Sequence, residues 1–368
     1  MRWENLMKAP LMGVVCVLVS SVSGTGFAAE TMRIAMGAES SKISIKASAL
    51  EWGPDAEGAP MHGVEGSTLE VTQASGGLQL NGAEVELKAV RVRVGGADDV
   101  LTVNGVRVRG EVVVQPGRAQ LVAINVLPLE DYLLGVLGSE MPRSFPLEAL
   151  KAQAVAARTY ALNKKLEQYD QPYHLGSSVI SQVYKGLEVD DPRTREAVES
   201  TRGEILTWKL QPIEAYFHAS CGGHTEAGLE ALGRDLPYLK SVECPCGALP
   251  TSHWSVNLTS KDLVGLAGAK AGSIRVEGRT PTGRARRVQV GSRDFDAVRF
   301  RERVGYMKLK SLDFEVKKAG DGVELSGHGF GHGAGMCQWG ARVLADKGMG
   351  YTYILQRYYP GTDLQNLY

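Results

Sequence analysis

Glu140 stands just ahead of Met141-Pro142, between two apolar helical segments. Desolvation in such a setting raises a carboxyl pKa and keeps a proton available for donation, which is what general acid catalysis requires. A lone glutamate serves equally well as a solvated charge or a cap, and spacing by itself favours that plainer role. The second candidate is the run Gly327-His328-Gly329-Phe330-Gly331-His332-Gly333-Ala334-Gly335-Met336-Cys337-Gln338-Trp339-Gly340-Ala341. His328 and His332 are four apart, a metal-binding spacing on a helix, but the alternate glycines disfavour a helix there. Glycine permits close backbone approach, so the two imidazoles are expected either against a ligand or hydrogen-bonded to the backbone in a loop that runs into a helix.

The third group is Cys221, Cys244, Cys246 and Cys337, with His218 and His224 three residues either side of Cys221. In an oxidising compartment a disulfide from Cys221 to Cys244 or Cys246 is expected, with the remaining cysteine free or joined to Cys337. Thiolate plus imidazole also suits zinc, but the spacing matches no zinc-finger pattern, so a disulfide is expected ahead of zinc at Cys221, Cys244 and Cys246, and no metal or cofactor is assigned. The fourth group is nine arginines within residues 275–303, read as a charged strand edge ahead of a cationic wall for an anionic polymer. No GxxxxGK[ST], HExxH or GxSxG motif occurs, leaving acid–base chemistry as the motif-supported option.

These groups need a scaffold, and 368 residues with 43% hydrophobic content can bury one. Lysine plus arginine and aspartate plus glutamate both number 41, so there is no global charge excess to hold a nucleic acid or an acidic membrane. Residues 1–28 read as a secretory signal: Arg2 and Lys8, the apolar run Leu11 to Val22, then Gly26 and Ala28 before the cut. That run is too short to span a bilayer, so an exported protein of the periplasm or cell envelope is expected, without a stable membrane anchor. Residues 29–100 alternate apolar and polar residues between Gly-rich and Asn-Gly turns and read as a small antiparallel β region. Residues 128–136 read as a short helix ending at Gly135, followed by a turn at Glu140-Met141-Pro142. Pro146 then opens the clearest helix, where Leu150, Ala154, Ala157 and Ala161 form a small-residue stripe beside a partly polar face of Lys151, Val155 and Arg158. The fold class is α+β and β-rich.

The segments from Val126 to Val136, Ser139-Glu140-Met141-Pro142 and Phe145 to Ala161 closely resemble the stage II sporulation protein D family, which includes the LytB amidase enhancers. Ser181-Gln182-Val183-Tyr184-Lys185-Gly186, Ala215 to Glu226, Tyr238-Leu239, Gly283-Arg284 and the Gly-His loop come next, in the family's order. The resemblance covers about residues 100–362 and implies a catalytic domain over 101–368. It implies a lytic transglycosylase that cuts the MurNAc-GlcNAc bond of peptide-stripped peptidoglycan strands, leaving 1,6-anhydro-MurNAc ends. The alternative is a non-catalytic glycan-binding enhancer of a murein amidase.

The family's catalytic glutamate falls on Glu140. Arg158, Gln182, Tyr184, His218, His328, His332 and Gln338 become candidates for lining a substrate groove. Some members bind zinc through a histidine and two cysteines near the Gln-Val-Tyr motif; His174 matches the histidine, but Ser181 replaces one cysteine and the other has no counterpart, so that site is not expected here. The family name points to spore formation, with vegetative wall remodelling an open alternative.

Overall fold

Period-two alternation and Asn-Gly turns across residues 31–128 build two sheets. The computed structural model describes residues 30–95, 100–176, 184–268 and 273–368. One sheet runs in the order Leu175–Gly176, Thr31–Ser40, Leu121–Pro128, Glu111–Pro116, Val90–Val94, Leu50–Pro54 and His62–Gly63. The other runs Val106–Arg109, Val100–Val103, Lys42–Lys46, Thr68–Ala74, Gly77–Leu80 and Ala83–Val85. Asn81-Gly82 and Asn104-Gly105 close two hairpins with positive φ at both residues, as the primed two-residue turns require. Met32, Ile34, Val92 and Val112 of the first sheet share one core with Ile43, Ile45, Leu69 and Leu101 of the second.

The boundary expected near residue 100 falls inside this structure. Strand Val100–Val103 pairs with Lys42–Lys46, and Thr31–Ser40 pairs with Leu121–Pro128, so residues 29–100 do not form a unit separate from the strands of 100–128. The first strand buries its apolar face only by joining the strand that leads into the helical region.

That strand passes at Pro128 into helix α1 (Leu129–Leu134), which ends at Gly135 as expected. The turn expected at Glu140 is a single helical turn, α2 (Leu137–Glu140). Helix α3 (Leu147–Glu167) comes next, with Pro146 at its N-cap, and is enclosed from Ala149 to Leu162 apart from Lys151. Around it stand α4 (Pro192–Ser200) and the strand Glu204–Trp208. The alanines that recur along α3 let these neighbours close in on every side, the pattern of a core helix rather than of an amphipathic surface helix.

The partly polar face expected for Lys151, Val155 and Arg158 is therefore corrected: Val155 and Arg158 are fully buried. Arg158 Nε and Nη2 donate to the two carboxylate oxygens of Glu130 on α1 at 2.9 and 2.8 Å. Two further donors reach the carbonyls of Glu204 and Val198 at 3.1 and 3.2 Å. One guanidinium thus fastens α1, α4 and the adjacent strand to α3.

The chain continues through α5 (Gly228–Leu232) and then builds a second core over residues 253–328. Two three-stranded sheets, α6 (Ser260–Ala267) and α7 (Ala297–Val304) enclose Trp254, Leu263, Val288, Phe300, Phe314 and Leu325. The last strand of this excursion, Gly322–His328, delivers the chain into the Gly-His loop. Then α8 (Gln338–Asp346) and α9 (Tyr351–Tyr358) return to pack on α3. No helix among the described residues is long and apolar enough to cross a membrane.

Removing one partner of a buried ion pair leaves the other charge desolvated, at a cost of about 3–5 kcal/mol. Arg158→Met is therefore expected to lower the unfolding free energy by about that amount in urea denaturation, while pairing it with Glu130→Leu restores most of the loss. Unchanged stability in the single variant would contradict the structural role of Arg158.

Candidate functional site

Glu140 closes α2, its amide donating to the Val136 carbonyl at 3.1 Å. The residue is half-buried, while Leu137, Met141 and Phe145 beside it in the chain are buried. Two phenols are within its electrostatic reach. Burial, and after it the Glu140 carboxylate, pushes the Tyr132 hydroxyl far up; burial raises Tyr160 as well, with neighbouring charges including Glu140 adding to it. The hydroxyl oxygen of Ser139, next in the chain, is buried without a hydrogen-bond partner.

A row of rings leads from α3 to the Gly-His loop. Tyr160, Tyr216, His332 and His218 succeed one another with centroid separations of 5.6, 5.9 and 5.4 Å, each contact edge-on. Gly329, Gly331, Gly333 and Gly335 all take positive φ, and at Gly331 a Cβ would stand 2.6 Å from the Cβ of His218. Glycine is what allows the loop to lie so close to the strand Phe217–His218.

The two imidazoles of this row are held by the backbone. His332 Nδ1 accepts from the Ala334 amide at 3.1 Å, so its Nε2–H donates to the Phe217 carbonyl at 2.9 Å. His218 Nδ1–H donates to the Ala334 carbonyl at 3.0 Å, leaving Nε2 as a buried acceptor without a partner. Burial pushes His332 down to about 4 and His218 well below its ordinary value, so both rings are neutral at pH 7. His328 stands apart, edge-on to His253 at 4.4 Å, with Nδ1 3.7 Å from an Asp313 carboxylate oxygen.

Gln338 opens α8 and donates through Nε2 to Gln153 Oε1 on α3 at 3.2 Å. The Gln153 amide nitrogen is itself buried and unpartnered. Native interiors leave few such groups unpaired, and Ser139, Gln153 and His218 join Asn163, Asp190, Glu204, Trp254 and Arg357 among the described residues with a buried polar atom that has no protein partner. Gln153 and Ser139 lie inside the quoted motif segments, but nothing in their residue types or spacing sets them apart from their neighbours.

Two further expected lining residues serve the scaffold. Arg158 is fully buried and spends four of its five N–H donors on Glu130 and two carbonyls. Tyr184 is buried, donates to Asn125 Oδ1 at 2.5 Å and stacks on Tyr132 at 5.5 Å. Both are corrections to a groove-lining role, since a side chain with its polar atoms already bonded inside the core does not reach a polymer. Gln182 and the signal segment 1–28 lie outside the described residues. Surface hollows of about 500 and 340 Å3 lie along α4 and the strand Val106–Arg109, and Glu140 lines neither.

The arginines of 275–303 are largely used within the protein. Arg286 pairs with Glu230, Arg287 with Asp294 and Arg279 with Glu315. Arg284 was singled out only by the family's Gly-Arg pattern, yet it reaches back from the second core to the Cys221 and His224 carbonyls at 2.7 and 2.9 Å. With Glu226 3.6 Å away, it pins the excursion to the segment beneath the Gly-His loop. The cysteines converge there as well: Cys221, Cys244, Cys246 and Cys337 are buried and unbridged, with Cys221 Sγ 3.3 Å from Cys246 Sγ. His174, the one match to the family's zinc ligands, accepts the Arg33 amide through Nδ1 at 3.2 Å.

An α+β protein with a buried helical hub, a half-buried glutamate at its entrance and a glycine-histidine loop beyond is the class that these features define. The family model described as Stage II sporulation protein matches residues 117–208, a span that includes Glu140. Stage II sporulation protein D of Bacillus subtilis is 35% identical over 262 residues, covering 66% of this chain and 76% of that protein. An uncharacterised protein of Brachyspira hyodysenteriae is 35% identical over 304 residues, covering 81% and 82%. The amidase enhancer of Bacillus subtilis is 32% identical over 292 residues, covering 63% of this chain but 40% of that longer protein. The chain belongs to the stage II sporulation protein D family.

The depressed histidines fix a pH dependence. A folded-state pKa near 4 against about 6.5 unfolded means that the unfolded chain binds more protons between those values, so stability rises with pH there and is lost as pH falls. Unfolding free energy is expected to drop from pH 6.5 toward 4, and His332→Gln to flatten that slope, by at most about 1.4 kcal/mol per pH unit. An unchanged slope in urea titrations of the variant would mean that His332 is not held neutral by the fold.

Proposed function

We propose that the protein is a peptidoglycan lytic transglycosylase with Glu140 as its acid and base. The observation that carries this reading is the half-buried Glu140 at the end of α2, flanked by apolar residues, near two buried phenols and inside the span matched by the family.

In the reaction the Glu140 carboxylic acid protonates the glycosidic oxygen between MurNAc and GlcNAc, and the C1–O bond breaks with an oxocarbenium-like transition state. The resulting carboxylate takes the proton from the C6 hydroxyl of the same MurNAc, whose oxygen attacks C1 and closes the 1,6-anhydro ring. The proton given to the leaving oxygen is thereby recovered, and no water is consumed. One carboxyl group suffices where hydrolysis uses a pair. Strands already stripped of stem peptides are the proposed substrate, in an exported protein that acts in the cell envelope during sporulation or wall remodelling.

The second reading, a glycan-binding partner that stimulates a murein amidase, is favoured by the similarity to the amidase enhancer. Glu140→Gln separates the two. It preserves shape and hydrogen bonding but has no transferable proton, so strand cleavage is expected to fall by at least about 10²–10⁴-fold while glycan binding persists. A variant that keeps most of its turnover would remove Glu140 from the chemistry. A wild-type protein that binds strands, stimulates an amidase and yields no anhydro ends would favour the enhancer.

A further inference from the structure

The four cysteine sulfurs arrive from three distant parts of the chain. Cys221 comes after the strand Phe217–His218, Cys244 and Cys246 flank Pro245, and Cys337 ends the strand Met336–Cys337. Residues 253–328 are interposed between the second and third of these, so nothing local brings Cys337 to the others. Yet all four sulfurs lie within 4.8 Å of one another, and all four residues are buried.

A tetrahedral ion with metal–sulfur bonds of about 2.3 Å requires sulfurs about 3.8 Å apart, so the cluster needs only small shifts, with Cys221 and Cys246 opening from 3.3 Å and the wider pairs closing from at most 4.8 Å. Clusters of several irons hold their thiolates farther apart than this. Two disulfides would also employ four cysteines, but they draw sulfurs together in pairs and do not require all four to surround one point. Hydrogen-bond donors surround the sulfurs. The amides of Cys221 and Gly340 both donate to Cys337 Sγ, at 3.3 and 3.2 Å. The Tyr358 hydroxyl is 3.1 Å from Cys244 Sγ, and Ser220 Oγ donates to Cys246 Sγ at 3.7 Å. Four thiolates around a divalent ion carry a net double negative charge, and these donors, with the Arg284 guanidinium on the Cys221 carbonyl, are the outer shell such a charge needs.

The approach is close enough to dictate a residue. At Gly340 a Cβ would fall 2.0 Å from the Tyr358 hydroxyl and 2.4 Å from Cys244 Sγ, so any larger side chain would displace the sulfur cluster or its donor. The imidazoles are not needed as ligands: His218 Nδ1 is taken by Ala334, and His224 is exposed.

We infer that Cys221, Cys244, Cys246 and Cys337 form a closed tetrathiolate site for one zinc ion. An all-sulfur donor set selects a soft or borderline ion, and four protein ligands leave no open position, so the site is structural. It clamps the segment bearing His218, the turn at Pro245 and the N-terminus of α8, and thereby fixes the Gly-His loop and the Gln338–Gln153 contact. The inference stands independently of the reaction proposed for Glu140, since occupancy is read without any activity.

Protein prepared with zinc in the medium and without chelator is expected to contain about one zinc per chain by inductively coupled plasma mass spectrometry. Removing the metal under reducing conditions should expose four additional reactive thiols, and loading the stripped protein with cobalt(II) should give the intense sulfur-to-cobalt charge transfer and visible bands of a tetrahedral tetrathiolate. Cys246→Ser should weaken zinc binding by more than the ~10–100-fold attributed to outer-shell changes. Full zinc retention in that variant would overturn the assignment. So would iron in place of zinc, disulfide-linked peptides in non-reducing maps of the native protein, or four free thiols that take up neither zinc nor cobalt. Should Cys246→Ser fail to fold, the wild-type metal content and cobalt spectrum still decide the question.

Discussion

A fully buried arginine is tolerable only where its charge is paired and its donors find acceptors, and the fold around α3 gives Arg158 four hydrogen bonds. Arg158 spends its guanidinium on the Glu130 carboxylate and on the carbonyls of Val198 and Glu204. Those three partners sit on α1, α4 and the neighbouring strand, so one charge sets how each lies against the central helix. With α1 fixed, the five residues from Gly135 to Ser139 leave little freedom in where Glu140 emerges. The alanines of α3 do the complementary work, admitting neighbours on all sides. The acid and base role proposed for Glu140 would benefit from a rigid support of this kind.

The second organising feature is the return of the chain after a long excursion. Residues 253–328 form a core of their own, and the strand Gly322–His328 then brings the Gly-His loop back onto the strand Phe217–His218. Arg284 holds the excursion from one side, through the Cys221 and His224 carbonyls, and the cysteines hold it from the other. The rings of Tyr160, Tyr216, His332 and His218 link the loop to α3. Glutamate and loop, remote in sequence, are thus both built onto the packing around α3.

Much of the framework was legible in the chain. The Asn-Gly hairpins, the short helix closed by Gly135 and the alanine-rich helix after Pro146 all arise from local turn and helix chemistry, and each stands where that chemistry puts it. Burial was less legible. Arg158 and Tyr184 belong to the matched motifs and carry groups that bind sugars elsewhere, yet here they bond Glu130 and Asn125 inside the core. A motif reports that a residue matters and does not report whether it faces solvent. The strand pairing across residue 100 was illegible for a related reason, because partners distant in sequence leave no local signal. The cysteines were harder still: Cys221 and Cys244-Pro245-Cys246 suggested a bridge by proximity, whereas the position of Cys337 depends on where an inserted core returns the chain.

In the proposed reaction the carboxyl group of Glu140 closes an anhydro ring within the sugar instead of activating water. Digestion of peptide-stripped glycan strands in water enriched in oxygen-18, with mass spectrometry of the new ends, tests it directly. The account predicts 1,6-anhydro-MurNAc termini that carry no heavy oxygen, since the ring oxygen comes from the C6 hydroxyl. Reducing MurNAc ends labelled with oxygen-18 would contradict it, because water would then have been the nucleophile.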